Sequence, residues 1–169
     1  EGRFLSKVTG ETKGNVFLRK KQIEYFNEAP IELAQNTVAS KLYNTIFLIK
    51  RSLRDNSMLD EDGCISRCIE RLTDGIQSVY NEKDLSVIMG IEGNCAKAYF
   101  DIFDELILQQ KTDFKLHSRT KRPPLDKVNA VLSFLYTIYT YDYASALETV
   151  GLDSYIGYYH SLRSGRSSL

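Results

Sequence analysis

The chain has 169 residues, 43% of them hydrophobic and 26% charged, with 22 basic and 22 acidic side chains and a formal net charge of zero. These are ordinary globular proportions for one domain, and they exclude disordered, collagen-like and mucin-like chains. No apolar run approaches the ~20 residues that span a bilayer, and three cysteines without paired spacing read as reduced thiols in a cytoplasm.

The zero net charge conceals basic segments. Residues 1–23 carry six basic and two acidic side chains, residues 111–127 do the same, and the tail adds Arg163 and Arg166. Such segments either attract a polyanion or form an ordinary solvated surface.

In chain order, the opening Glu1-Gly2-Arg3 without a Met reads as cut from something longer. Phe4–Val8 and Val16–Leu18 show short β-like alternation broken by Gly10 and Gly14-Asn15, as in the last strand and connector of a preceding β domain. After Pro30 the period changes. Ile31, Ala34, Val38, Leu42, Ile46, Ile49 and Leu53 recur every three or four residues, a long amphipathic helix that proline can start. A second helix is expected over residues 62–80, a third over 84–110, and a fourth after Pro123-Pro124 that continues through Leu125, Val128, Leu132, Leu135 and Tyr139. Gly151 is a C-terminal stop, after which Asp153 or Ser154 caps a last short helix containing Tyr155 to His160. The expected fold is an all-α helical bundle with a short β-like N-terminal segment: residues 1–22 a remnant strand and linker, residues 23–169 the helical domain.

Several polar residues break the apolar pattern. Glu92 lies four after Ile88 and seven before Tyr99, within the apolar stripe, between Gly90 and Gly93. A carboxylate there is either bonded to an arginine of another helix or recruits a cation. His160 is one of only two histidines and follows an aromatic run. It is either packed like an aromatic ring or is a ligand for Mn²⁺ or Mg²⁺ in company with carboxylates. His117 lies in the basic loop and reads as exposed. Cys64 and Cys68 read as core rather than zinc ligands. Neither G-x-S-x-G nor a P-loop occurs, which removes serine hydrolase and P-loop NTPase readings. The loop Arg119-Thr120-Lys121-Arg122-Pro123-Pro124 could grip phosphates on a stiff backbone, or be merely solvated. Asn129 falls on the apolar side of the fourth helix, with Tyr136 one heptad on, and a buried Asn must find hydrogen-bond partners.

Together, Gly90-Ile91-Glu92-Gly93, Tyr99-Phe100, the run Arg119 to Asn129, Gly151-Leu152-Asp153 and Gly157-Tyr158-Tyr159-His160 resemble the α-helical domain of CRISPR-associated protein one. Gly14-Asn15-Val16 with Leu18-Arg19, and Lys41 with Asn44 and Arg51, add to the match. The resemblance implies a metal-dependent DNA endonuclease and integrase that inserts new spacers into CRISPR arrays, the adaptation stage of antiviral defence. A 3′-hydroxyl of the incoming DNA would attack a phosphodiester of the repeat, a transesterification with no covalent protein intermediate. It implies Glu92 and His160 as catalytic metal ligands for Mn²⁺ or Mg²⁺, the third, acidic ligand falling beyond Leu169. It makes Arg119, Lys121, Arg122, Arg163 and Arg166 the DNA path, with Lys41, Asn44, Asn129 and Tyr136 in support. The implied partners are double-stranded DNA (prespacer and repeat), a second copy of the chain in the full-length family, and CRISPR-associated protein two, in the cytoplasm and without a membrane. Most of the family's N-terminal β domain is missing, so the fragment is expected to be inactive or impaired. The alternative is a non-catalytic helical module binding nucleic acid or protein, in which Glu92 and His160 are structural.

Overall fold

Five α-helices carry the fold in a computed structural model of the chain, which describes residues 15–28, 31–162, 165, 167 and 168; among these there is no strand. The all-α expectation holds. The residues divide into a larger unit, Ile31–Phe134, and a smaller one that combines the first helix, α1 (Val16–Asn27), with the chain from Leu135 onward.

In the larger unit, α2 (Ile31–Asp55) buries Ala34, Val38, Leu42, Ile46 and Ile49, the expected stripe. A 3-10 turn, Ser57–Asp60, leads to α3 (Cys64–Asn81), which buries Ile65, Cys68, Leu72 and Val79. Asp60 starts α3: its carboxylate accepts the N–H groups of Ile65 (2.7 Å) and Ser66 (2.9 Å), which otherwise lack intrahelical partners. α4 (Leu85–Ile102) is capped by Asp84, which accepts from Ser86 N at 2.7 Å. α3 packs on both α2 and α4. The helices meet at Gly75, where a Cβ would stand 2.5 Å from Cys95 Sγ and 3.3 Å from Leu42 Cδ1. Ile49, Ile65, Leu72 and Ile88 are fully buried, each contributing about 1.5–3 kcal/mol of hydrophobic stabilisation.

Two expected boundaries move. The third helix was expected to reach residue 110, but α4 ends at Ile102 and a 3-10 turn, Phe103–Leu106, follows. Asp104 accepts the N–H of Leu116 at 2.7 Å, turning the chain back so that Leu116 is buried. The fourth helix, α5 (Lys127–Val150), starts at Asp126, whose carboxylate accepts Asn129 N at 2.7 Å. Many apolar side chains of α5 are exposed, among them Phe134, Tyr139 and Tyr143.

In the smaller unit, Val16–Leu18 correct the expected β-like segment: they form the first turn of α1 (Val16–Asn27). Asn15 caps it, accepting Leu18 N at 3.1 Å. Three alternating residues carry no real periodicity, and the Arg, Lys, Gln and Glu that follow are good helix formers. Phe4–Val8 lies outside the described residues. The Gly151 stop is a Schellman motif. Gly151, at φ 91°, donates to Glu148 O (3.0 Å), and Leu152 N donates to Leu147 O (2.9 Å). The short helix expected after it does not form: residues 153–160 make turns and bends. Asp153 accepts Tyr155 N at 2.8 Å in a local Asx turn, and Gln22 of α1 takes the carbonyls of Asp153 and Ile156.

Among the described residues, no helix is long and apolar enough to cross a membrane.

Candidate functional site

Glu92 belongs to the larger unit and His160 to the smaller. On α4, Glu92 is partly buried, and its Oε1 accepts from the ammonium of Lys41 on α2. The partner is a lysine, where an arginine was the structural alternative. Half the Lys41 side chain is in solvent, so the pair orients the carboxylate while contributing at most about 1 kcal/mol. A Cβ on Gly90 or Gly93 would meet nothing within 4 Å. Both glycines sit in a helix interior, each costing about 1 kcal/mol relative to alanine, with no packing contact to explain them. Both positions are exposed, so a side chain at either would stand in solvent. Asn44, three residues beyond Lys41, is exposed. Two turns along both helices, a cleft of about 390 Å³ is lined by Leu48, Arg51, Asp55, Tyr99, Phe103 and others. Sequence reasoning did not anticipate it, because its wall is built by two helices far apart in the chain.

Asn129 is wholly buried and organises the basic loop. Its Oδ1 accepts from Arg119 (2.8 Å) and Thr120 N (2.9 Å), while its Nδ2 donates to Ser118 O (2.8 Å) and Asp126 Oδ2 (2.6 Å). Arg119 thereby turns inward. Its guanidinium also donates to Thr120 O (2.7 Å) and lies over the Phe100 ring, 5.9 Å from the centroid. Lys121 and Arg122 remain exposed, as does His117. Ser118, Asp126 and Ser133, which complete this network, were not singled out from the sequence; the D-x-x-N spacing of Asp126 and Asn129 is the signal that could have found it.

In the smaller unit, His160 is exposed, its ring tilted against Tyr159 at 4.8 Å between centroids. Gly157 is a close-approach position, because a Cβ there would fall 2.3 Å from Ser168 O. Tyr136 is more than half exposed on α5. Arg163 and Arg166 lie outside the described residues.

Asp60, Asp62 and Cys64 form another group of possible metal donors, their ligand atoms within 4.8 Å of one another. Its chemistry points elsewhere. Both carboxylates accept hydrogen bonds from the start of α3. Burial, with Asp62 beside it, pushes the Cys64 thiol up to about 11. Cys68 is likewise pushed up to about 11, chiefly by burial, and Cys68 and Cys95 are buried.

Glu92 offers a hard carboxylate and His160 an imidazole, donor types that each suit Mn²⁺ or Mg²⁺.

A family model described as CRISPR associated protein Cas1 matches residues 1–169. The chain is 40% identical over 170 residues to CRISPR-associated endonuclease Cas1 1 of Moorella thermoacetica, covering 99% of this chain and 50% of that protein. It is 39% identical to the Chlorobaculum tepidum protein of the same description, with the same coverage. Among solved structures it resembles a Cas1 protein from Thermotoga maritima, with a TM-score of 0.73, 27% identity, and 97% of this chain against 49% of that one. It also resembles a chain of a partial Cas6-RT-Cas1–Cas2 complex, with a TM-score of 0.77, 26% identity, and 99% against 49%. The chain thus spans about half the length of these relatives. A match over the whole sequence, with an all-helical fold shared with solved members, makes the chain a member of the Cas1 family.

Proposed function

We propose that this chain is the α-helical catalytic part of a metal-dependent DNA endonuclease and integrase that inserts new spacers into CRISPR arrays. The observation that carries the reading is Glu92, a partly buried carboxylate held by Lys41, in a chain whose whole length matches the Cas1 family. Glu92 and His160 would hold Mn²⁺ or Mg²⁺, which when bound supplies charge neutralisation at the scissile phosphate and activation of the attacking hydroxyl. Lys41 orients the Glu92 carboxylate before DNA arrives. Once the carboxylate takes other partners, the Lys41 ammonium is placed to meet a phosphate oxygen, with Asn44 one turn away.

Lys121 and Arg122 contact the DNA backbone, joined by Arg163 and Arg166. Arg119 acts from inside the loop, with Asn129, by fixing where those cations stand. Tyr136 serves the DNA path. The same reading divides the chain into a linker, residues 1–22, and a catalytic domain, 23–169, with α1 crossing between them. It gives the longer protein a cytoplasmic location, prespacer and repeat DNA as substrates, a second copy of itself, and CRISPR-associated protein two as a partner. The last finds support in the Cas1–Cas2 complex of a structural relative.

The test is Mn²⁺ titration, followed by electron paramagnetic resonance, of the wild type, Glu92→Ala and His160→Ala, alongside transfer of a labelled DNA end, each in a version extended to the full length of its Cas1 relatives. Affinity should fall at least tenfold in each variant, and transfer should be lost. Unchanged affinity in both variants would leave a helical interaction module without chemistry.

A further inference from the structure

In the smaller unit, a single side chain of α1 does the work of a strand or helix neighbour. Gln22 is 6% exposed, the one buried residue of its helix. Its Nε2 donates to Asp153 O (2.9 Å) and Ile156 O (3.0 Å), and its Oε1 accepts from Asp153 N (2.9 Å). A carboxamide offers the same donor and acceptor as a peptide group, so both its ends pair with loop backbone. Further contacts run in parallel. Tyr158 packs edge-on against Tyr25 (5.4 Å between centroids), its hydroxyl donates to Gln22 O at 3.4 Å, and Arg19 Nε donates to Gly151 O at 3.2 Å. One face of α1, Arg19, Gln22 and Tyr25 at helical spacing, thus holds the loop that starts after α5 and ends at His160.

This loop has no regular hydrogen bonding of its own between Leu152 and His160 beyond single turns. Within the segment Asp153 O accepts Ile156 N at 3.3 Å; Gln22 gives it a second donor and supplies one to Ile156 O, where an unpaired carbonyl would be costly.

We propose that Gln22 is a positioning residue for His160: its carboxamide fixes the backbone of residues 153–156 and thereby the place from which the imidazole is presented to a divalent cation. The inference rests on the reading of His160 as a metal ligand. Groups that orient a ligand from behind typically change metal affinity 10–100-fold when removed.

The experiment uses Gln22→Met, which keeps length and apolar volume while removing both donors and the acceptor. Mn²⁺ affinity is measured by electron paramagnetic resonance for the wild type, Gln22→Met, His160→Ala and Gln22→Met/His160→Ala. Amide exchange is followed in the metal-free proteins. The expected result is a loss of about tenfold or more in Gln22→Met, no further loss when it is added to His160→Ala, and faster exchange at Asp153 N. A merely structural role would lower affinity equally in both backgrounds, and that result overturns the proposal. If His160→Ala weakens binding but Gln22→Met does not, positioning is refuted while the metal reading stands. If His160→Ala leaves affinity unchanged, both fall. Should Gln22→Met fail to fold, the wild type still decides: Asp153 N should exchange more slowly than exposed loop amides, and rapid exchange there overturns the clasp.

Discussion

Glycines at two places in the helices of the larger unit should respond to alanine with opposite signs. Gly93 is exposed on α4, has helical backbone, and offers open space for a Cβ. Gly93→Ala therefore gains helix propensity without a clash and should stabilise the chain by about 1 kcal/mol. That is a rise of roughly 2–4 °C in melting temperature for a chain of this size. Gly75 has the same propensity to gain, but its Cβ would lie 2.5 Å from Cys95 Sγ, a buried atom one bond from its own backbone-anchored carbon. Overpacking of this kind costs about 1–3 kcal/mol. Set against the propensity gain, Gly75→Ala should lose up to about 2 kcal/mol. Cys95→Ala removes the obstructing sulfur, leaving Leu42 Cδ1 at 3.3 Å and Ile91 Cγ2 at an ordinary 3.8 Å. In that background the loss should shrink by about 1 kcal/mol or more, a coupling that a double-mutant cycle reads directly. Urea unfolding of the four proteins measures it. Destabilisation by Gly93→Ala, or strict additivity of Gly75→Ala and Cys95→Ala, would refute the packing account.

Asn129→Leu should cost about 2–4 kcal/mol, since it strands Thr120 N and Ser118 O in a buried network, and should speed tryptic cleavage at Lys121. Lys121→Ala and Arg122→Ala should each weaken duplex DNA binding and lower the slope of log affinity on log salt by about 1, read by fluorescence anisotropy at several salt concentrations. Asp60 is held below its usual 3.8 despite the opposing effect of desolvation, by hydrogen bonds from Ser66 and from the amides of Ile65 and Ser66. Asp113 is held low by Lys127. Their folded pKa values lie below the unfolded ones, so their stabilisation is complete above the unfolded pKa and disappears as pH falls through the folded value. Asp60→Asn should therefore flatten the acid limb of the stability curve, measured by urea midpoints from neutral pH downward. Gly157→Ala should detach residues 167 and 168 from Ser154, visible as faster exchange at Ser168 N, which now donates to Ser154 O at 3.1 Å.

The helices of the larger unit were legible because each buries one stripe. Val38, Leu42, Ile46 and Ile49 announce α2 through spacing alone, and Asp84 announces the start of α4. Val16–Leu18 misled because three residues fit either period, and only Asn15 and the polar residues after them decide for a helix. The end of α4 was hidden by a long-range choice: Asp104 bonds Leu116, twelve residues on, and no local pattern encodes that. Of the candidate site, Glu92 stood out as a charge in an apolar stripe and Asn129 as an amide in one. The inward turn of Arg119 was not readable, because an arginine in a basic run looks the same whether it faces water or an asparagine ten residues later. Gln22 sits among lysines and gave no local sign that the backbone it serves lies far downstream.

That distance shapes how the molecule is made. Gln22 and Asp153 are 131 residues apart, so a ribosome adding about 5–20 residues per second leaves α1 waiting roughly 7–26 s for its counterpart to be synthesised. A twelve-residue helix with one buried side chain is marginal on its own over that interval. The loop clasped by α1 is therefore assembled after the helices that close around Leu72 and Ile88 have been made, and a nascent chain arrested before residue 153 would carry the larger unit's helices with α1 still lacking its partner.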